Sequence, residues 1–413
     1  MPHLLRNSIA VLAVAALASG CSWFSWLPWV DKKPDPDAPA ELTDYKAEVK
    51  IDEIWSTSVG DGLGKQYMRL PPAVLAERVF AADAFGYVEA RDRFSGKRIW
   101  KARIGPSGKG MFSFLNPFDR TDYSYVTGGV GAGEGLVLLG TTTAEVVALS
   151  AADGSARWRV AMSSEVLAPA STGEGLVFVQ TSDGRLVALD AKDGSRRWTF
   201  DTQVPVLSLR GTGSPQYAGG IVVAGFANGK VTAFRASTGE PIWDARVMLP
   251  QGRSELDRIA DVDGDPVITP NAVYAASFQG RVSAIRPSDG TELWERDTST
   301  YVDVGEGGGQ VYIVDDKSVI TAYDERTSSV AWEQRALFKR GLTGAAAIGD
   351  YVMVADSEGF VHVLAQSDGH LVARRKIDGS GIRSRPVVGD DVVFVMGNSG
   401  DFEALKIKPI KKS

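Results

Sequence analysis

The segment Leu186-Val187-Ala188-Leu189-Asp190-Ala191-Lys192-Asp193-Gly194-Ser195-Arg196-Arg197-Trp198 recurs in degraded form along most of the chain, and this repetition constrains the fold more than any other feature. Its clearest copies span 146–158, 231–243, 282–294 and 320–332, with more divergent ones at 88–100 and 361–373. In most copies an apolar run leads into a turn, and a tryptophan stands four residues after the turn glycine, as in Gly96 and Trp100, Gly154 and Trp158, or Gly239 and Trp243. That order reads as strand, turn, strand. Alternation places Val187 and Leu189 on one face and Leu186 and Ala188 on the other, and both sets are apolar. Such a sheet must be covered on both sides.

Further strand patterns precede each pair, for example 175–179, 221–225, 273–276 and 351–354, and short runs opened by proline (Pro169-Ala170, Pro266-Val267-Ile268, Pro386-Val387-Val388) fit an innermost strand. Four-stranded units recurring every ~40 to 50 residues, with apolar faces on both sides, predict an all-β fold of radially stacked antiparallel blades, a β-propeller. Seven units align. The last, through Phe402-Glu403-Ala404-Leu405, lacks its tryptophan strand, whereas Trp55 sits in a tryptophan strand with no blade before it. The N-terminal strand around Trp55 is therefore expected to complete the last blade, giving an eight-bladed ring without exposed ends. A seven-bladed ring remains the rival, and it requires 361–373 to be something other than a blade. The long step from Trp100 to Trp158 implies an insertion, read as a surface loop over 108–125.

Ahead of the repeats lie Arg6, an uncharged stretch over 9–18, and Ser19-Gly20-Cys21. An apolar core of about ten residues is half of the ~20 a membrane-spanning helix needs, so residues 1–20 read as an export signal. Ser19 and Gly20 before the sole cysteine resemble a bacterial lipobox, with Ala18 where leucine is more usual; the resemblance implies that Cys21 is lipidated. The alternative is an ordinary secretory signal with an incidental cysteine. Ser22, by the same resemblance, permits sorting to the outer membrane, facing the periplasm. Residues 21–50, with Trp23, Trp26, Trp29 and a proline-rich charged stretch, suit a tether. The propeller is then expected over 51–408 and a tail over 409–413.

A net charge of -6, with no basic run longer than the three residues Arg374-Arg375-Lys376, argues against a nucleic-acid partner. No catalytic set is compelling. Of the 3 histidines, His3 lies in the signal, His362 alternates with valines in a strand, and His370 follows a turn glycine, so structural roles are expected rather than a paired metal site. The run 105–110 has the wrong spacing for a phosphate loop, and Gly305-Glu306-Gly307-Gly308-Gly309 reads as a loop between strands. Asp261-Val262-Asp263-Gly264-Asp265 admits three readings: a calcium loop, a solvated loop bonding local amides, or a partner-facing surface. No metal or cofactor is assigned.

The repeat, with its Ala-Leu-Asp, turn glycine and closing tryptophan, resembles the pyrroloquinoline-quinone propeller repeat over nearly all of 54–406. That resemblance raises one enzyme reading, a quinone-dependent periplasmic dehydrogenase with calcium. Such enzymes carry adjacent cysteines and longer chains, whereas here Cys21 is the only cysteine. From lipobox to C-terminus the chain more closely resembles the BamB family, non-catalytic lipoproteins of the outer-membrane β-barrel assembly (BAM) machinery. Two segments that blade packing does not require carry this resemblance, 207–211 (Leu-Ser-Leu-Arg-Gly) and 255–263 (Glu-Leu-Asp-Arg-Ile-Ala-Asp-Val-Asp). The resemblance implies docking on the periplasmic POTRA domains of BamA through Leu207, Leu209, Arg210, Asp261 and Asp263, and assistance to nascent outer-membrane proteins. Against it stands the reading that Leu207 and Leu209 face a core and Arg210 pairs with Asp261 internally. A propeller lipoprotein binding envelope polymers is a third possibility.

Overall fold

The computed structural model describes residues 38–64, 67–105, 125–205, 212–249 and 261–410. Cys21, Leu207, Leu209, Arg210, nearly all of the expected loop over 108–125 and the last three residues lie outside this set. The chain divides into two units, Met1–Pro39 and Ala40–Ser413, and the second is the subject here.

Its strands form eight four-stranded antiparallel sheets. Blade 1 runs from Ala73–Leu75 to Arg98–Arg103, and blade 2 from Val126–Gly133 to Ala156–Ala161. Blade 3 runs from Ser171–Gly173 to Arg196–Asp201, blade 4 from Gln216–Ala218 to Pro241–Arg246, and blade 5 from Val267–Ile268 to Glu292–Thr298. Blade 6 extends from Gly305–Gly307 to Val330–Gln334, and blade 7 from Ala346–Ile348 to Leu371–Lys376. Blade 8 takes its three inner strands from the C-terminus and its outer strand, Val49–Ser58, from the N-terminus. That strand pairs with Asp401–Pro409 from Val49 opposite Pro409 to Ser58 opposite Asp401, so the ring closes around Trp55 as expected. The divergent copy at 361–373 supplies two strands of blade 7, Phe360–Ala365 and Leu371–Lys376, which removes the seven-bladed alternative.

The repeat tryptophan is a clasp between blades. The indole N–H of Trp55, Trp100, Trp158, Trp198, Trp243, Trp294 and Trp332 donates to a backbone carbonyl in the turn of the following blade, at 2.8 to 3.1 Å. The turn glycine is needed for the same contact. Gly194 has φ +74°, and a Cβ there would lie 2.7 Å from Val160 and 2.9 Å from the Trp158 ring. One seam lacks the clasp. In blade 7 the register Val363 opposite Ala373 stands where blade 3 has Ala188 opposite Trp198. There Ala373 packs with Val49, Ile51, Val393 and Leu405, while Arg375 bridges to Glu53 and Glu403 of blade 8 at 2.5 and 3.0 Å.

An arm over 40–48 lies against the same region. Ala40 N–H donates to Phe338 O and its carbonyl accepts from Arg340, both at 2.9 Å. Leu42 packs into the core of blades 6 and 7, and Glu48 N–H donates to Val372 O at 2.9 Å. The tether expected over 21–50 thus includes, from Ala40 onward, chain that is bonded to the propeller.

Three local expectations need correction. Gly305–Gly307 is not loop but the innermost strand of blade 6. Innermost strands crowd toward the axis, and a Cβ on Gly305 or Gly307 would fall 2.7 Å from Ala345 O or 2.5 Å from Ala347 Cβ, so glycine here serves close approach rather than a turn. The innermost strand of blade 3 starts at Ser171, after Pro169-Ala170, because proline offers no amide to the ladder. Tyr125, at the end of the expected loop, is buried, and its hydroxyl donates to Glu145 at 2.9 Å. Both histidines serve structure: His362 is buried with Nε2 3.0 Å from Asp356, and His370 is bonded in its turn to Asp368 at 2.6 Å and to Glu48 at 3.1 Å.

Candidate docking site

The segment 261–266 carries the chain from the outer strand of blade 4 toward the innermost strand of blade 5. Asp261 is fully buried and its carbonyl accepts from Phe278 N–H at 3.0 Å. Val262 is buried against Gly225, where any Cβ would fall 2.5 Å from its side chain. Asp263 is half-buried. Asp265 accepts from Ser214 N–H of the blade 4 connection at 2.6 Å, and its own amide donates to Asp303 of the blade 6 connection at 3.2 Å. The solvated-loop reading is thereby overturned: the carboxylate of Asp265 bonds an amide 51 residues away, because these connections descend into the central funnel instead of crossing the outer surface. Arg69 enters the same funnel from blade 1 and donates to Tyr301 O at 2.8 Å. Among the described residues, no group of three or more metal-ligating side chains could share an ion, so the calcium reading gains no ligand set.

Beside this segment, between blades 3 and 4, lies a cavity of about 270 Å³. Its lining mixes polar residues (Glu165, Gln180, Thr181, Ser182, Thr212, Asp263) with apolar ones (Leu167, Val204, Phe226, Val262). Val204 and Thr212 bracket the first family segment, and Val262 and Asp263 end the second. The structure therefore brings the described ends of both segments to one cavity. Asp263 lines it, while Asp261, next to Val262 in the chain, is fully buried. Burial pushes the Asp263 carboxyl up to about 7, the charge of Asp261 adds to the rise, and Arg69 opposes it. Burial and the neighbouring Asp303 likewise raise Asp265.

Gln180 was missed by sequence reasoning. It is 3 % exposed, its Nε2 donates to Gly225 O at 2.7 Å, and its Oε1 has no hydrogen-bond partner. The signal was present in the repeat. The equivalent ladder positions in the other blades are Ala82, Gly140, Gly225, Ala276, Val314, Ala355 and Met396, so Gln180 is the one polar residue at that place.

A family model described as outer membrane protein assembly factor BamB matches residues 84–334 and 316–409. The BamB of Pseudomonas aeruginosa is 44% identical over 370 residues, covering 90% of this chain and 93% of that protein. The crystal structure of BamB from Moraxella catarrhalis superposes with a TM-score of 0.76 at 26% identity, covering 86% of this chain and 100% of that one. A quinohemoprotein alcohol dehydrogenase from Comamonas testosteroni superposes with a TM-score of 0.65 at 13% identity, covering 86% of this chain and 76% of its own, a likeness of fold alone. With sequence and architecture agreeing over most of its length, the chain belongs to the BamB family of outer-membrane protein assembly factors.

Proposed function

We propose that this protein is a non-catalytic, lipid-anchored scaffold of the outer-membrane β-barrel assembly machinery. Residues 1–20 act as its export signal, Cys21 carries the lipid, and the propeller faces the periplasm. It docks on the POTRA domains of BamA through Leu207, Leu209, Arg210 and Asp263, with Asp261 holding the wall in place, and through that contact assists the folding and insertion of outer-membrane proteins. The observation that carries this reading is the convergence on one cavity of Val204 and Thr212, which flank 207–211, and of Val262 and Asp263, which end 255–263. Leu207 and Leu209 are of a type that suits an apolar recess on a partner, and Arg210 with Asp263 would supply directional charged bonds at its rim.

The dehydrogenase reading is not supported by the residues present. Such enzymes carry a pair of adjacent cysteines, and the sequence has one cysteine, Cys21. Co-purification with BamA tests the proposal directly. Wild-type protein recovers BamA, whereas Arg210→Ala and Asp263→Ala lose most of it. Recovery of peptidoglycan fragments in place of BamA would favour an envelope-polymer binder, and equal recovery by all three proteins would refute the site.

A further inference from the structure

We propose that Asp265 is a positioning residue for docking: through one bond to the Ser214 amide it sets Thr212 against Asp263 at the cavity, without lining that cavity itself. The proposal rests on the docking reading for the identity of the partner, whereas the clasp is argued from its own geometry.

Thr212 and Asp263 both line the cavity between blades 3 and 4, and they belong to two different connections between blades. Two residues after each stands one half of the clasp. Ser214 N–H donates to Asp265 Oδ1 at 2.6 Å. Ser214 is buried, and its hydroxyl donates to Pro169 O, just ahead of the innermost strand of blade 3, at 2.7 Å. The backbones beside this bond touch. A Cβ on Gly213 would fall 2.9 Å from Gly264 O and 3.5 Å from Asp263 O, so glycine at 213 lets the two connections run side by side.

Asp265 is itself moored from the other direction. Its amide donates to Asp303 Oδ1 at 3.2 Å, and Asp303 Oδ2 stands 3.9 Å from Arg385 Nε. Arg385 Nη1 in turn donates to Val304 O at 3.2 Å. Asp265 therefore cannot shift toward or away from Ser214 without disturbing its contacts with blade 6. It lines a separate cavity, with Gln216, Tyr217 and Arg385, so its effect on the docking cavity passes through Ser214.

The choice of a carboxylate is informative because a neutral group does the same work elsewhere in the ring. Leu70 precedes a proline, as Ser214 and Asp265 do, and it donates its amide to Ser384 Oγ of the blade 8 connection at 3.0 Å. At position 265 burial and the neighbouring Asp303 push the carboxyl up to about 7, which works against folding at neutral pH. A carboxylate gives the shorter and stronger bond to an amide. That stronger hold stands between the two connections that carry 207–211 and 255–263.

The test uses the mature protein and a POTRA fragment of BamA, by calorimetry, with the fold of each variant checked by near-ultraviolet circular dichroism. Asp265→Ala removes the acceptor, whereas Asp265→Asn keeps an oxygen for the Ser214 amide. Gly369→Ala is the control: with φ +74° and a new Cβ 2.3 Å from the Trp332 ring, it strains the ring at blade 7, away from the cavity. The expected result is affinity weakened about tenfold or more in Asp265→Ala, held within about threefold in Asp265→Asn, and unchanged in Gly369→Ala. Where Asp265→Ala does not fold, Asp265→Leu, close to Asn in shape, takes its place under the same criteria. Wild-type affinity without the acceptor, an equal loss in Asp265→Asn, or an equal loss in Gly369→Ala would overturn the proposal. Failure of both acceptor-free variants to fold would assign the bond to the ring as a whole and overturn its docking role. Wild-type protein that does not bind the fragment refutes the docking reading instead. The clasp is then read without a partner, from the backbone amide signal of Thr212 in a TROSY spectrum, which moves in Asp265→Ala and returns in Asp265→Asn; a signal that stays in place in Asp265→Ala overturns the clasp.

Discussion

At the scale of single residues, the funnel stores charge at some cost to stability. Asp263 has an unfolded value near 4 and a folded value of about 7. A raised carboxyl binds its proton more tightly in the folded state, so this contribution is intact below pH 4 and is lost as pH rises to 7. Asp263→Asn should therefore gain little stability at pH 4 and about 2 kcal/mol at pH 8, a figure reduced from the full linkage value for solvent reaching the half-buried group. Urea unfolding at the two pH values reads the difference, and an equal effect at both would contradict the assigned burial cost. His362 behaves in the opposite sense. Its pKa is held down by burial, against the pull of Asp356, so the stability it lends is present above about 6.5 and lost as pH falls below that. Gly194→Ala tests the turn. With φ +74° and the Trp158 ring 2.9 Å from a new Cβ, it should cost about 2 kcal/mol or more, measured by the same unfolding.

At the scale of elements, strand pairs and tryptophan clasps were legible because they repeat: Val187, Leu189, Gly194 and Trp198 each have counterparts in several blades, and periodicity alone places them. Contacts made once were not legible. Nothing in 40–48 announces that Ala40 bonds to Phe338, 298 residues away in sequence, or that the arm lies beside the blade 7 to blade 8 seam, whose clasp position is Ala373. Asp261 was read as partner-facing from its family segment, yet it is fully buried, and only the path of the chain into the funnel reveals that. Gln180 breaks a pattern, but the break has no meaning until the cavity beside it is seen.

The arm's fastening is a second element-scale claim. Arg340 donates to Ala40 O and, nearly buried, pairs with Asp356 and Glu358 at 2.7 Å. Arg340→Ala leaves the buried Asp356 carboxylate without its cation, bonded only to His362 and the amides of Glu358 and Phe360, at a cost of about 3 kcal/mol. It should also release the arm. Limited proteolysis should cut within 40–48 in the variant while wild type resists, and equal protection would show that the arm is held by other contacts.

At the scale of the whole molecule, closure fixes where the arm and the cavity stand on the ring. The N-terminal strand completes blade 8, and the arm before it lies along blades 6 and 7. The cavity between blades 3 and 4 is four blades around the ring. The arm over 40–48 and the cavity thus lie on opposite sides of the ring. The regular residues build the ring, and the departures from the repeat, Gln180 and the segments that end at Thr212 and Asp263, mark the side proposed for docking.

The measurement that tests this account most directly is the affinity of the mature propeller for a POTRA fragment of BamA, by calorimetry, in four proteins: wild type, Arg210→Ala, Asp263→Ala, and Arg374→Ala on the arm's side of the ring. The account predicts binding weakened at least tenfold in the first two variants and unchanged in the third. Equal affinity in all four, or a loss confined to Arg374→Ala, would contradict it.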